Sequence, residues 1–253
     1  WKKSNCHIKK KLLFKHHDYH CYYAYGDELG SFMRSIDIER LRSFQQQGMC
    51  NQMHTMIDRF YIHYFHMFLW DSANEKIIGG YRIALIDDLV ENNGWESVYL
   101  NDEFQSMSHL LKSDGKTFEL SRAFITPEYQ KKTLALYLLW KGVLQFFSKF
   151  PSYHYVIGTT RFNQQTLSKK AQQLFVAGLR YGPFSDESMN IIGRNVYLED
   201  SELSGHLLHL CQKCLTFNEL NTLITQETDA TFITPPLLRY YVEYFNAKCL
   251  AYT

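Results

Sequence analysis

The sequence predicts an α/β fold: a mixed central sheet flanked by helices, with a helical C-terminal extension. Three observations predict it. Two apolar runs around a polar turn, at 61–86, read as a β-hairpin. A strand at 117–126, a long apolar helix from Thr133 and a second strand at 153–162 form a crossover whose strands should lie parallel. Helical segments then close the chain. Hairpin, strand, helix, strand, helix is the order of a mixed sheet covered by helices. Residues 1–194 are expected to form that core with a basic, aromatic N-terminal segment. Residues 195–253 are expected to form the helical extension packed on it.

Taken in order, the first 26 residues are basic and aromatic, and 20–25 can be a strand. In DELGSFMRSIDIERLRSFQQQG, Phe32, Ile36, Ile38 and Leu41 recur at near-helical spacing, and Gly48 is a C-terminal stop. The runs 61–70 and 76–86 flank DSANE, the hairpin turn. Residues 91–116 are polar and read as a loop. Pro127 ends the strand 117–126. TLALYLLWKGVLQFFSKF, from Thr133, lacks breakers apart from Gly142 and is followed by Pro151, as a buried helix should be. LSKKAQQLFVAGL, 167–179, is a helix with Leu174, Phe175 and Leu179 inward. Helices are expected at 201–214, around 217–226, and from Pro235 and Pro236 to about Phe245.

Composition narrows the function. A 45% hydrophobic, 21% charged chain of 253 residues can bury a core. A net charge of +1 argues against bulk nucleic-acid binding. Lys2, Lys3, Lys9, Lys10, Lys11 and Lys15 crowd the N-terminus. Aromatic residues reach 16%, which suits a large core and also suits contact with acyl chains or membrane interfaces. The opening WKKSNCHIKKK has no apolar signal region, and no apolar run approaches the ~18 residues of a membrane span. The six cysteines are therefore expected reduced, in a cytoplasmic protein.

The stretch FELSRAFITPEYQKK, 118–132, carries the chemistry. Glu119 sits in an apolar strand, where burial raises a carboxylate's proton affinity and suits it to act as a base near neutral pH. Arg122, three residues on, points to the opposite face of a regular strand unless a bulge or splay intervenes. A structural Glu–Arg pairing is the competing reading. Arg82, in GGYRI, follows two glycines that allow close backbone approach by a ligand. In QKKTLA a helix N-terminus, an anion site in general, is flanked by Lys131 and Lys132. A solvated loop is the alternative.

The ordered set FLWD, IIGGYRI, FELSRAFITPEYQKK, LLWKG and YHYVIG resembles bacterial N-acyltransferases of ornithine and glycine lipid synthesis. These belong to the GNAT-like superfamily, are often named "hemolysin-like", and are related to the homoserine-lactone autoinducer synthases. The resemblance covers roughly residues 34–181, with an echo in PPLLRYYVEYFNAKCLAY. It implies a GNAT-like sheet and transfer of a 3-hydroxyacyl group from acyl carrier protein to the amine of an amino acid, glycine or ornithine. It further implies that Glu119, Arg122, Arg82 and Asp58 line the catalytic cleft, and that Gln130, Lys131, Lys132, Thr133, Phe124 and Trp70 hold the acyl donor. No resident cofactor or metal is expected: the donor is acyl-phosphopantetheine on the carrier protein, with coenzyme A as alternative. The loop lacks the first glycine of coenzyme-A users and carries two lysines, which favours the carrier protein. Further implied are peripheral contact with the inner membrane and an O-acyltransferase, separate or fused, that adds a second chain. Two departures stand out. Where the family reads D-x-x-D, this chain has Asp58-Arg59-Phe60-Tyr61, and SFQQQGMC replaces an acidic, glycine-rich turn.

Other clusters carry less. His206, His209, Cys211 and Cys214 in HLLHLCQKC could hold zinc, but the same segment reads as a helix with an apolar face, and a second C-x-x-C is absent. HHDYHC, 16–21, reads as a basic patch facing a membrane. Cys50 has no evident base, and nucleotide-binding and G-x-S-x-G motifs are absent. Two other functions compete. One is an autoinducer synthase acylating S-adenosylmethionine, against which the extension from about 195 counts. The other is a degenerate module that binds lipid or carrier protein without catalysis.

Overall fold

A computed structural model describes residues 11–49, 53–161, 167–186, 188, 190–195, 203–228 and 230–252. Lys2, Lys3, Lys9, Lys10, Cys6, Cys50, Phe162 and Ser201, which entered the expectations above, lie outside the described residues. The elements run β1 (Leu12–His16), β2 (Tyr19–Tyr25), α1 (Phe32–Gln46), β3 (Phe65–Asp71), β4 (Lys76–Leu85), α2 (Ile86–Asn93), α3 (Leu100–Glu103), β5 (Phe104–Gln105), β6 (Lys116–Ile125), α4 (Thr133–Phe147), β7 (Tyr153–Gly158), α5 (Lys169–Tyr181), β8 (Ile192–Gly193), α6 (Gly205–Lys213), α7 (Phe217–Thr228) and α8 (Pro236–Phe245). The chain divides into two compact units, Trp1–Tyr99 with Leu111–Thr159, and Leu100–Leu110 with Thr160–Thr253. The second unit thus takes in α5, which the sequence-based boundary at 194/195 places with the sheet.

The first unit holds a six-stranded sheet in the order β1-β2-β3-β4-β6-β7. All pairs are antiparallel except β6 with β7, which the α4 crossover makes parallel. The 61–70 run divides. Residues 61–63 form a 3-10 turn, and the strand begins only at Phe65. The 91–116 segment, expected as loop, contains short elements from the end of α2 to β5. The strand expected at 153–162 ends at Gly158.

The two faces of the sheet differ in chemistry. Under α4, Phe65, Phe118, Phe146, Phe150 and Tyr153 pack ring against ring, with centroids 4.6–6.2 Å apart. Gly142 brings α4 close: a Cβ there would stand 2.7 Å from Cys21 Sγ. Under α1 the core is mixed. Phe32, Met33 and Ile36 meet Phe68, Trp70, Ile77 and Phe124, but Asp37, Arg40 and Ser43 are buried on the same helix. Ile38, expected inward from its apolar character, is 53% exposed. Positions 33, 36, 37, 40 and 43 share one helical face, and that face turns charged residues toward the sheet.

In the second unit the described residues form helices, which share an apolar cluster, and the short antiparallel pair β5–β8. Phe184 stacks on Phe217 at 4.4 Å, and Phe175 meets Phe232 at 5.0 Å. Ser168 and Ser204 cap α5 and α6, accepting from Ala171 and Leu207 N–H. Thr216 and Glu219 satisfy each other's backbone N–H at the start of α7, a capping box. No described helix is long and apolar enough to cross a membrane.

Candidate active site

A bulge in β6 assembles the cleft. Alternation puts Glu119 and Ser121 on the α1 face of the sheet and would turn Arg122 away. The register is Arg82 opposite Ser121 and Gly80 opposite Phe124, so Arg122 and Ala123 together oppose Tyr81. Arg122 adopts φ +54°, a left-handed conformation uncommon for a side chain with Cβ. The extra residue brings the Arg122 guanidinium to the Glu119 side, 3.3 Å from Asp58 Oδ2.

Arg82 is the hub. Its Nη1 donates to both Asp58 oxygens, at 2.8 and 2.6 Å, and its Nε to Ser121 Oγ at 3.1 Å. The guanidinium lies 4.7 Å from the ring centroids of both Tyr64 and Tyr99. Tyr64 Oη donates to Glu119 Oε2 at 2.6 Å and accepts the Tyr99 N–H at 2.7 Å. Glu119 is 0% exposed. Burial pushes its carboxyl above the usual carboxylate range, against the pull of Arg82 and the Tyr64 and Ser121 hydroxyls. The Asp58 and Arg122 side chains keep 22% and 13% of their surface. Asp58, Arg82, Glu119 and Arg122 thus form one cluster, open to solvent on the Asp58–Arg122 side.

Three further members carry no motif. Arg40, on α1, is fully buried; its Nη2 lies 3.4 Å from His66 Nδ1, and its guanidinium sits 5.6 Å from the Phe124 ring. Burial, with Arg82 and Arg122 nearby, lowers its pKa to about 9. His66 Nε2 faces the Tyr61 carbonyl at 3.1 Å, so that nitrogen carries the proton. Burial beside Arg40 holds His66 neutral, well below its ordinary pKa. Tyr64 and His66 occupy an apolar run, where sequence alone reads them as core. A charged residue recurring on the inner helical face was the available signal for Arg40.

The expected donor residues separate into two places. Gln130, Lys131, Lys132 and Thr133 lie together and exposed at the start of α4. Gln130 Nε2 donates to the Ile125 carbonyl, and Lys132 Nζ lies 4.4 Å from the Tyr129 ring. Among the described residues no side chain caps the α4 N-terminus; the Lys132 carbonyl takes the Ala135 N–H, so only the N–H groups ahead of it face other acceptors. Trp70 and Phe124 instead belong to the core under α1. The β6–β7 pairing stops at Leu120 opposite Gly158, although β6 continues to Ile125. Among the described residues that half of β6 has no partner in β7, and it leads through the Pro127–Tyr129 turn into the helix. Cys211 and Cys214 turn their thiols to the Leu174 and Leu210 carbonyls, while His206 and His209 are exposed.

Residues 40–141 match the family model described as an acetyltransferase (GNAT) domain. That span holds the whole Asp58–Arg82–Glu119–Arg122 cluster and the loop into α4. No curated protein matches the chain in sequence. Among solved structures, an aminoglycoside acetyltransferase from an uncultured soil metagenomic sample is similar in its complexes with sisomicin and with trehalose. The two are 11% and 10% identical, cover 57% and 63% of this chain and 78% and 86% of theirs, and superpose with TM-scores of 0.35 and 0.36. The mixed sheet flanked by helices, with helices following it, is GNAT-like, and the matched domain supports an acyltransferase in general.

Proposed function

We propose that the protein is an N-acyltransferase that moves a 3-hydroxyacyl group from phosphopantetheine on acyl carrier protein to the amine of an amino acid, in aminolipid synthesis. The observation that carries the reading is the half of β6 that has no partner in β7 among the described residues. It stands between the Glu119–Arg82–Asp58–Arg122 cluster and an uncapped helix N-terminus flanked by two lysines. The thioester carbonyl would meet backbone N–H groups on that edge, and the phosphate would meet the helix start with Lys131 and Lys132. The amine attacks the carbonyl; a C–N bond forms, the C–S bond breaks, and the amine proton passes to Glu119 and ultimately to the departing thiolate. Arg82 holds Asp58, and Arg122 lines the cleft. The amphiphilic product favours peripheral membrane contact.

A specific observation supports the rival module that binds without catalysis: Glu119 has no exposed surface. One experiment decides between them. Lipids from a bacterium supplying 3-hydroxyacyl carrier protein are analysed by mass spectrometry, with the wild-type chain or Glu119→Gln. A new N-acyl amino acid, lost in the variant, is expected. A folded wild-type protein that yields no new species while binding carrier protein would establish the non-catalytic module.

A further inference from the structure

Buried polar atoms in folded proteins almost always have partners. Here Arg40 Nε, Arg82 Nη2, Arg122 Nε and Glu119 Oε1 are all buried and have no hydrogen-bond partner among the described residues. All four belong to side chains on one face of the sheet. Three are donors and one is an acceptor.

Arg40 is the most telling. It forms no ion pair among the described residues. His66 offers only a neutral nitrogen, and Phe124 offers a ring face. The nearby Asp37 spends its oxygens on the Met56 N–H and the Thr55 hydroxyl. A buried cation without a direct counter-ion is costly, and anionic groups bound beside it relieve that cost. The expected phosphate of the donor has its own place at the α4 start, so this cationic group calls for a different anion.

We propose that the cluster holds its acceptor by both ends: the amine at Glu119 Oε1 and a carboxylate at the free N–H groups of Arg40, Arg82 and Arg122. An amino acid presents the complement of the unpartnered atoms, one donor group and one acceptor group. A plain amine would leave the guanidinium N–H groups unmet. Asp58 and Arg122 are the members that reach solvent, so the acceptor enters on their side. Arg40 is then a specificity residue, reading the carboxylate from the far side of the cluster. This assignment rests on the N-acyltransferase reading.

Calorimetric binding tests it without turnover. Glycine and ornithine are titrated into wild type, Arg40→Met and Arg40→Lys, alongside methylamine and putrescine, which lack the carboxylate. Wild type is expected to bind at least one of the amino acids and neither amine. Arg40→Met should weaken that binding roughly tenfold or more, the effect of losing a charge-assisted hydrogen bond. Arg40→Lys, which keeps the cation, should recover part of it and serves if the methionine variant does not fold. In turnover, KM for the amino acid should rise more than kcat falls. Equal binding of amine and amino acid, unchanged binding in folded Arg40 variants, or no binding of either amino acid by folded wild type would overturn the proposal. Amino-acid binding without acyl transfer would leave the pocket standing and sink the acyltransferase reading.

Discussion

Glu119 joins two demands that pull apart. A general base must be ionised when it meets the amine and still have enough proton affinity to take its proton, and burial raises that affinity because desolvation disfavours the charge. Yet Arg82 and the Tyr64 hydroxyl favour the ionised form, so they oppose the rise that burial imposes, and the carboxyl sits above the usual carboxylate range. The acid limb of kcat/KM is therefore expected above the ordinary Glu value of about 4.3. Tyr64→Phe removes the 2.6 Å donor and should move that limb further up. A profile flat through this range, or unmoved by Tyr64→Phe, would remove Glu119 from the proton path. Stability gives the same sign. A carboxyl with a raised folded pKa contributes stability that is complete below its unfolded value and lost as pH rises through the folded one. Wild type should therefore lose melting temperature against Glu119→Gln as pH rises through that window.

At the scale of the element, the β6 bulge decides whether four charged side chains form one site. Its two contributions separate by mutation. Arg122 holds φ +54° at a cost of about 1 kcal/mol for a residue with Cβ. Arg122→Gly relieves that cost and Arg122→Ala does not, while both remove the guanidinium beside Asp58. Denaturant unfolding should find the glycine variant about 1 kcal/mol more stable than the alanine variant, with both impaired in turnover. Equal stability would mean that the backbone at 122 relaxes once its side chain is gone. The bulge also marks the limit of what the sequence reveals. Glu119, Arg82 and Arg122 are visible as charges inside strands, because strand patterning makes them exceptions. Their convergence is not visible, because one extra residue in a ladder leaves no compositional trace. The hairpin, β6, α4 and β7 are legible from long apolar runs bounded by Pro, Gly and polar turns. β1 is not, since LLFKH sits among lysines and histidines, and the elements between 86 and 110 are too short to show a period. On α1 the apolar pattern picks the wrong side at Ile38, because the buried face of this helix carries Asp37, which holds the Thr55 hydroxyl and Met56 N–H, and Arg40, which joins the cluster, beside its apolar residues.

Across the whole molecule, an apolar helix face shows that a helix is covered without showing by what. The apolar face of LSKKAQQLFVAGL predicts that α5 is buried but not which elements it meets. Leu174, Phe175 and Ala177 pack with Cys211, Phe217 and Leu220, so α5, α6 and α7 share one core. Gly178 sits so close to Leu220 that a Cβ there would meet its Cδ1 at 2.5 Å. Phe217 stands at the centre, fully buried and stacked 4.4 Å from Phe184, with ring planes 3° apart. Phe217→Ala would remove a large buried ring from a packed interior, which costs about 3–5 kcal/mol where the site cannot collapse. If these helices form one cooperative core, amide hydrogen exchange in the variant should rise together through α5, α6 and α7. Exchange that rises in α7 alone would show that the cluster is a set of local contacts. The helices after the sheet would then be an appendage held piece by piece, not a second folded unit.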